Sequence, residues 1–110
     1  MNYYLSFVGL LLCCCYTQSL SAQSKKKIDS INKLDYIFVS NNLEKSKALF
    51  TENIEYSKSL NYDLGQAASH SNLALVYCLV EDYERGVEEF MAASTIYKRL
   101  GMHQELASTY

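Results

Sequence analysis

The sequence predicts an all-α fold built from antiparallel helix-turn-helix repeats that stack into an α-solenoid. Three observations predict it. Apolar residues recur at helical spacing from Ile28 to Leu100, no stretch sustains a period of two, and the 110-residue chain contains no proline. The stretch from His70 to Ala93 divides into two amphipathic halves about a short break at Glu81-Asp82, with small residues where two helices must approach closely. The chain also repeats itself at a spacing of 40, as from Phe50 to Phe90. An antiparallel helix pair cannot bury both of its faces alone, so a repeated pair implies stacking.

The first element is a targeting segment. Tyr3 to Tyr16 is almost wholly apolar and Thr17 to Ser24 turns small and polar, the pattern of a secretory signal peptide over residues 1–22 with cleavage after Ala22. The apolar run is too short to span a bilayer, which takes roughly 20 residues. No Lys or Arg precedes it and Lys25-Lys26-Lys27 follows it, which favours an uncleaved anchor as the alternative. Cys13, Cys14 and Cys15 read as apolar signal residues. A lipoprotein signal places a small residue directly before its cysteine, and here Leu12 stands there. With the signal removed, Cys78 is the single cysteine, so packing and not a disulfide must hold the fold.

Residues 23–27 read as a basic linker, a solvated tail at the new terminus. Ile28, Ile31, Leu34, Ile37 and Phe38 mark a first helix, broken at Ser40-Asn41-Asn42 because these side chains compete for backbone hydrogen bonds. Leu43, Phe50, Ile54, Ser57 and Leu60 mark a second helix over about 43–60, with Asn61 as a left-handed stop. A third runs from about Leu64 to Leu79 and a fourth from Tyr83 to Leu100, stopped by Gly101.

The register of the repeat aligns Glu44 with Glu84, Lys45 with Arg85, Phe50 with Phe90, Lys58 with Lys98, Leu60 with Leu100 and Ala67 with Ala107. Leu43 takes the place of Tyr83 and Ser46 that of Gly86, while the stops Asn61 and Gly101 coincide. Agreement of helix stops as well as apolar anchors argues for a true repeat. It divides the chain into a degenerate first repeat over 28–66, a second over 67–104, and the start of a further one over 105–110. In that register Tyr110 falls in the first half of a helix, so the chain reads as the N-terminal piece of a longer array. A truncated product is the alternative, and its uncovered apolar face is expected to drive self-association.

The second repeat resembles the tetratricopeptide family in a long-period bacterial form. His70, Leu73, Ala74 and Tyr77 match the pattern of the family's first helix, with His70 where the family has Trp or a large apolar residue. Glu81-Asp82-Tyr83-Glu84-Arg85-Gly86 resembles the family's Gly-Asp-Tyr-Glu-Lys-Ala, and Phe90 and Ala93 fall at its aromatic and small positions. Lys98 stands where a proline often ends the repeat. The resemblance implies a structural core of Leu73, Ala74, Tyr77, Tyr83, Gly86, Phe90 and Ala93. It also implies a concave partner-binding face that includes Ser71, Asn72, Leu75 and Cys78. Family members that clamp a peptide carboxylate use an Asn at the place of Asn72 with Lys and Asn from the preceding repeat. Here Ile31 and Asp35 stand at those places, which argues against a clamp. Asn72 retains two readings, contact with a peptide backbone and a helix–helix hydrogen bond. Phe90 is expected at the centre of the core, where truncation to Ala costs about 3–5 kcal/mol.

Nothing in the chain points to catalysis, a cofactor or a metal. His70, Cys78 and His103 are the soft ligands of the mature chain, and His70 and Cys78 lie about two helical turns apart, too far for one ion. The acids of Glu81-Asp82 and Glu88-Glu89 are consecutive and so diverge on a helix, and the first pair suits a helix N-terminus. No phosphate-cradling glycine loop or nucleophile turn occurs. The formal charge of −2 and the absence of a basic stripe argue against nucleic acid. Among the ten tyrosines, Tyr77, Tyr83 and Tyr97 suit interhelix packing, and Tyr56 and Tyr62 are free to serve a ligand surface. The expected function is a non-catalytic, exported module that binds a protein or peptide. By the resemblance it is the extracytoplasmic sensor region of a longer bacterial histidine kinase or DNA-binding regulator. A free-standing secreted or periplasmic scaffold is the alternative. The membrane enters only through an uncleaved anchor or a downstream span.

Overall fold

The computed structural model of the protein describes residues 20–102. The expected signal peptide up to residue 19, His103 and the expected start of a further repeat over 105–110 lie outside the described residues. Within them the chain is helical throughout, with no strand. Helix α1 covers residues 20–32. It is followed by α2 (Tyr36–Asn41), α3 (Leu43–Ser59), α4 (Asp63–Leu79) and α5 (Tyr83–Arg99).

Two boundaries differ from the sequence expectation. Residues 23–27 are not a linker but a continuous part of α1. Lysine is a good helix former, no Gly or Pro interrupts the run, and Ser24 anchors it through a 2.9 Å hydrogen bond to the Tyr56 hydroxyl of α3. The first helix also stops earlier than its apolar spacing suggests. Asp35 caps a new helix by accepting from the Phe38 N–H at 2.7 Å, and this competes successfully with continuation of α1. Ile37, read as a core position, is 70% exposed as a result, whereas Val39 is fully buried.

The turns are the most regular feature of the chain. After α3, the Tyr62 N–H donates to the Ser57 carbonyl at 2.9 Å and the Asn61 N–H to the Lys58 carbonyl at 3.1 Å. After α4 the same pair runs from Asp82 to Tyr77 (2.9 Å) and from Glu81 to Cys78 (3.0 Å). After α5 it runs from Met102 to Tyr97 (2.9 Å) and from Gly101 to Lys98 (3.1 Å). These are three Schellman caps at intervals of 20 residues, each built on one left-handed residue: Asn61 (φ 52°), Glu81 (φ 63°) and Gly101 (φ 73°). Asn61 and Gly101 were legible as stops. Glu81 takes the same geometry without a glycine, and Asp82 immediately caps α5 through the Arg85 N–H at 3.3 Å.

Side-chain pairs fix the packing directions. Asp63 with Arg99 (3.1 Å), His70 with Glu89 (2.5 Å) and Cys78 beside Gly86 set α4 antiparallel to α5. Ser24 with Tyr56 and Ile28 with Asn53 set α1 antiparallel to α3. Asp29 with Tyr62 and Asn32 with Ser69 and Asn72 set α1 parallel to α4. Two apolar clusters fill the spaces between the helices. The larger holds Val39, Phe50, Ile54, Leu73 and Val76, with Leu34, Phe38 and Tyr77 against it. The smaller joins Ala67 of α4 to Ala93, Ile96 and Tyr97 of α5.

Phe90, expected at the centre, is only partly buried and belongs to neither cluster. The fully buried phenylalanine is Phe50, at 0% exposure. The physical reason is position in the stack. The α3 helix of Phe50 is flanked by both α1 and α4, whereas the packing of α5 among the described helices is chiefly on α4. Tyr83, expected to pack between helices, is 61% exposed at the start of α5 for the same reason.

Candidate functional site

The most polar part of the interior lies where α1, α3 and α4 meet. Asn53 of α3 is 3% exposed and donates from Nδ2 to the Ile28 carbonyl (3.1 Å) and to Ser69 Oγ (3.1 Å). The Ser69 hydroxyl lies within donating reach of the Gly65 carbonyl (2.7 Å) and Asn32 Oδ1 (3.0 Å). Asn32 Nδ2 donates to the same Gly65 carbonyl at 3.2 Å. Asn72 Nδ2 reaches both the Asn32 carbonyl and its Oδ1 at 3.2 Å, and so satisfies a carbonyl left open where α1 ends. These bonds set the depth at which the parallel helices α1 and α4 meet. Gly65 permits that approach, because a Cβ there would lie 2.9 Å from Ile28 Cγ2.

The four residues expected on one binding face are divided by the structure. Asn72 is turned toward α1 and makes the helix–helix bond of its second reading. Cys78 is turned toward α5, with its sulfur 2.9 Å from where a Gly86 Cβ would sit. Ser71 and Leu75 are partly buried, and the Ser71 hydroxyl is sealed without a partner. With Leu64 and Ala68 they share one side of α4 at helical spacing, and Leu64, at 41% exposure, is the exposed member. His70, expected from the resemblance at an aromatic position of the first helix, pairs with Glu89 of α5. Leu73 and Ala74 are buried, Tyr77 packs on the larger cluster, and Gly86 and Ala93 lie under α4.

Tyr62 and Tyr56 have separate roles. The Tyr62 hydroxyl donates to Asp29 Oδ1 at 2.7 Å, and Lys25 Nζ lies 5.4 Å from its ring centre. Burial, then the hydrogen bond and the charge of Asp29, push its hydroxyl pKa up to about 12. Tyr56 is 40% exposed and borders a cavity of about 260 Å³ between α1 and α3. Lys27 and Glu52 stand at that cavity with Ile31 and Leu49, and Asn53 also lines it. The sequence marked Tyr56 as a surface aromatic, but the convergence of the other five on it depends on the α1–α3 pairing and carries no motif.

Among the described residues, no group of three His, Cys, Asp or Glu side chains converges as a metal site would require, and no helix is long and apolar enough to cross a membrane. No family model matches the chain, and no curated protein or solved structure matches it either.

Proposed function

We propose that this chain is a tetratricopeptide-like α-solenoid that acts as a non-catalytic, exported interaction module. In this reading it is the sensor region of a longer bacterial signalling protein, and it binds a protein or peptide segment. The observation that carries the reading is the order of the helices. Helix α1 pairs antiparallel with α3, α3 pairs antiparallel with α4, and α4 returns parallel to α1. That is the succession first helix, second helix, next first helix of a stacked repeat, with α2 inserted in the first connection. Schellman caps at 20-residue intervals supply one half-repeat per turn. In this reading the partner meets α4 along Leu64, Ala68, Ser71 and Leu75, entered from exposed Leu64.

Selection of displayed peptides on the full chain tests the binding role. Enriched peptides are expected to lose binding to the Leu64→Arg and Leu75→Arg variants, whose circular dichroism matches the parent. Peptides that bind these variants unchanged, or a selection that yields none, count against this face. Export is tested separately by fusing residues 1–27 to a reporter that folds only where disulfides form. An inactive reporter rules out the exported location.

A further inference from the structure

The cavity between α1 and α3 has the attributes of a small-ligand site. Its floor includes Asn53, which is 3% exposed. That carboxamide donates from Nδ2 to the Ile28 carbonyl and to Ser69 Oγ, and the carbonyl acceptor fixes which end is nitrogen. Among the described residues its Oδ1 has no hydrogen-bond partner and is not sealed in the interior, and Asn53 lines the cavity, which leaves this acceptor available to a ligand there. A cation, Lys27, comes from α1 and an anion, Glu52, from α3, with Ile31 and Leu49 supplying apolar surface. The volume of about 260 Å³ lies below the roughly 300–1,000 Å³ of sites for drug-sized ligands.

We propose that this cavity binds a free α-amino acid with an apolar side chain. The ligand ammonium donates to Asn53 Oδ1 and Glu52, its carboxylate takes Lys27, and its side chain rests on Ile31 and Leu49. A mid-chain peptide segment has no charged ends and leaves both rim charges unmatched. A zwitterion satisfies both and also supplies the donor that the buried oxygen lacks. This assignment does not depend on the repeat reading, because it uses only the α1–α3 pair.

The test is a calorimetric titration of the full chain with L-leucine, L-isoleucine and L-phenylalanine, beside N-acetyl-leucine and leucinamide. Saturable binding of at least one free amino acid is expected, with leucine's two blocked forms about tenfold weaker or worse. Lys27 and Glu52 are exposed and outside the core, so Lys27→Gln and Glu52→Gln are expected to fold as the parent does. Lys27→Gln should abolish the preference for leucine over leucinamide, and Glu52→Gln the preference over N-acetyl-leucine. No saturation by about 10 mM of any of the three, or binding indifferent to the blocked ends and to both variants, overturns the proposal.

Discussion

Phe50 and Phe90 are each the eighth residue of a 17-residue helix, yet Phe50 is completely enclosed while Phe90 is only partly buried. The two are therefore expected to differ sharply on truncation. Phe50→Ala removes a ring from the larger cluster and leaves a cavity among Val39, Ile54, Leu73 and Val76, at a cost of about 3–5 kcal/mol. Phe90→Ala loses only partial burial, about 1–2 kcal/mol on the same area argument. Urea unfolding of the two variants beside the parent checks the difference. Equal losses would mean that Phe90 is covered as fully as Phe50.

The left-handed residue at each Schellman cap gives a second prediction. Glu81 at φ 63° carries a Cβ where glycine carries none, so Glu81→Gly is expected to stabilise by about 0.5–1 kcal/mol. Gly101→Ala, at φ 73° with open space around it, is expected to destabilise by a similar amount through strain alone. Thermal midpoints measured on the two variants should move in opposite directions.

The helices themselves were legible because their apolar spacing and two of their three stops are local features. What was not legible depends on pairing in space. Asp35 ends one helix and starts another by a single side-chain bond, and a periodic pattern through Leu34, Ile37 and Phe38 cannot show that competition. Asn72 carries the same chemistry whether it faces a ligand or α1, and only the parallel approach of α1 and α4, permitted by Gly65, decides for α1. Asn53 and Ser69 are polar residues in the middle of amphipathic helices, and neither reveals that the other is its partner. The α1–α3 cavity was invisible for the same reason, since its residues are drawn from two helices with no common motif.

The pH dependence of Tyr62 follows from its raised pKa. The ordinary value is 10.0 and the folded value about 12, so the folded state holds this proton more tightly than the unfolded chain. The stability this contributes is fully present below about pH 10 and is lost as pH rises toward and through about 12. Tyr62→Phe removes the titrating group and is expected to lessen the fall in stability over that window. Comparing urea midpoints at about pH 9 and about pH 11.5 for parent and variant isolates this effect from that of the other tyrosines. An equally steep fall in Tyr62→Phe would show that burial and Asp29 do not hold this proton more tightly in the folded state.

Two buried hydroxyls should be dispensable. Ser46 and Ser57 of α3 are 0% exposed and their oxygens have no hydrogen-bond partner. Alanine removes an unsatisfied polar atom and favours the helix, so Ser46→Ala and Ser57→Ala are each expected to stabilise by about 1 kcal/mol. A loss of stability in denaturant titrations would mean that each hydroxyl finds a partner after all.

Gly86 and Cys78 provide the sharpest test of the α4–α5 interface, because one substitution should be reversed by another. A Cβ at residue 86 would lie 2.9 Å from Cys78 Sγ and 3.5 Å from the Ala74 carbonyl. Gly86→Ala gains about 1 kcal/mol of helix propensity but forces the sulfur or the helix to move, an overpacking cost of about 1–3 kcal/mol. The single variant is therefore expected to be neutral to destabilised. Cys78→Ala removes the obstructing sulfur, and in that background Gly86→Ala should become stabilising, since the carbonyl is at ordinary contact distance. The double-mutant cycle should show a coupling of about 1 kcal/mol or more. Additive effects would mean that α5 approaches α4 less closely at this point, and the close packing assigned to Gly86 would then fall.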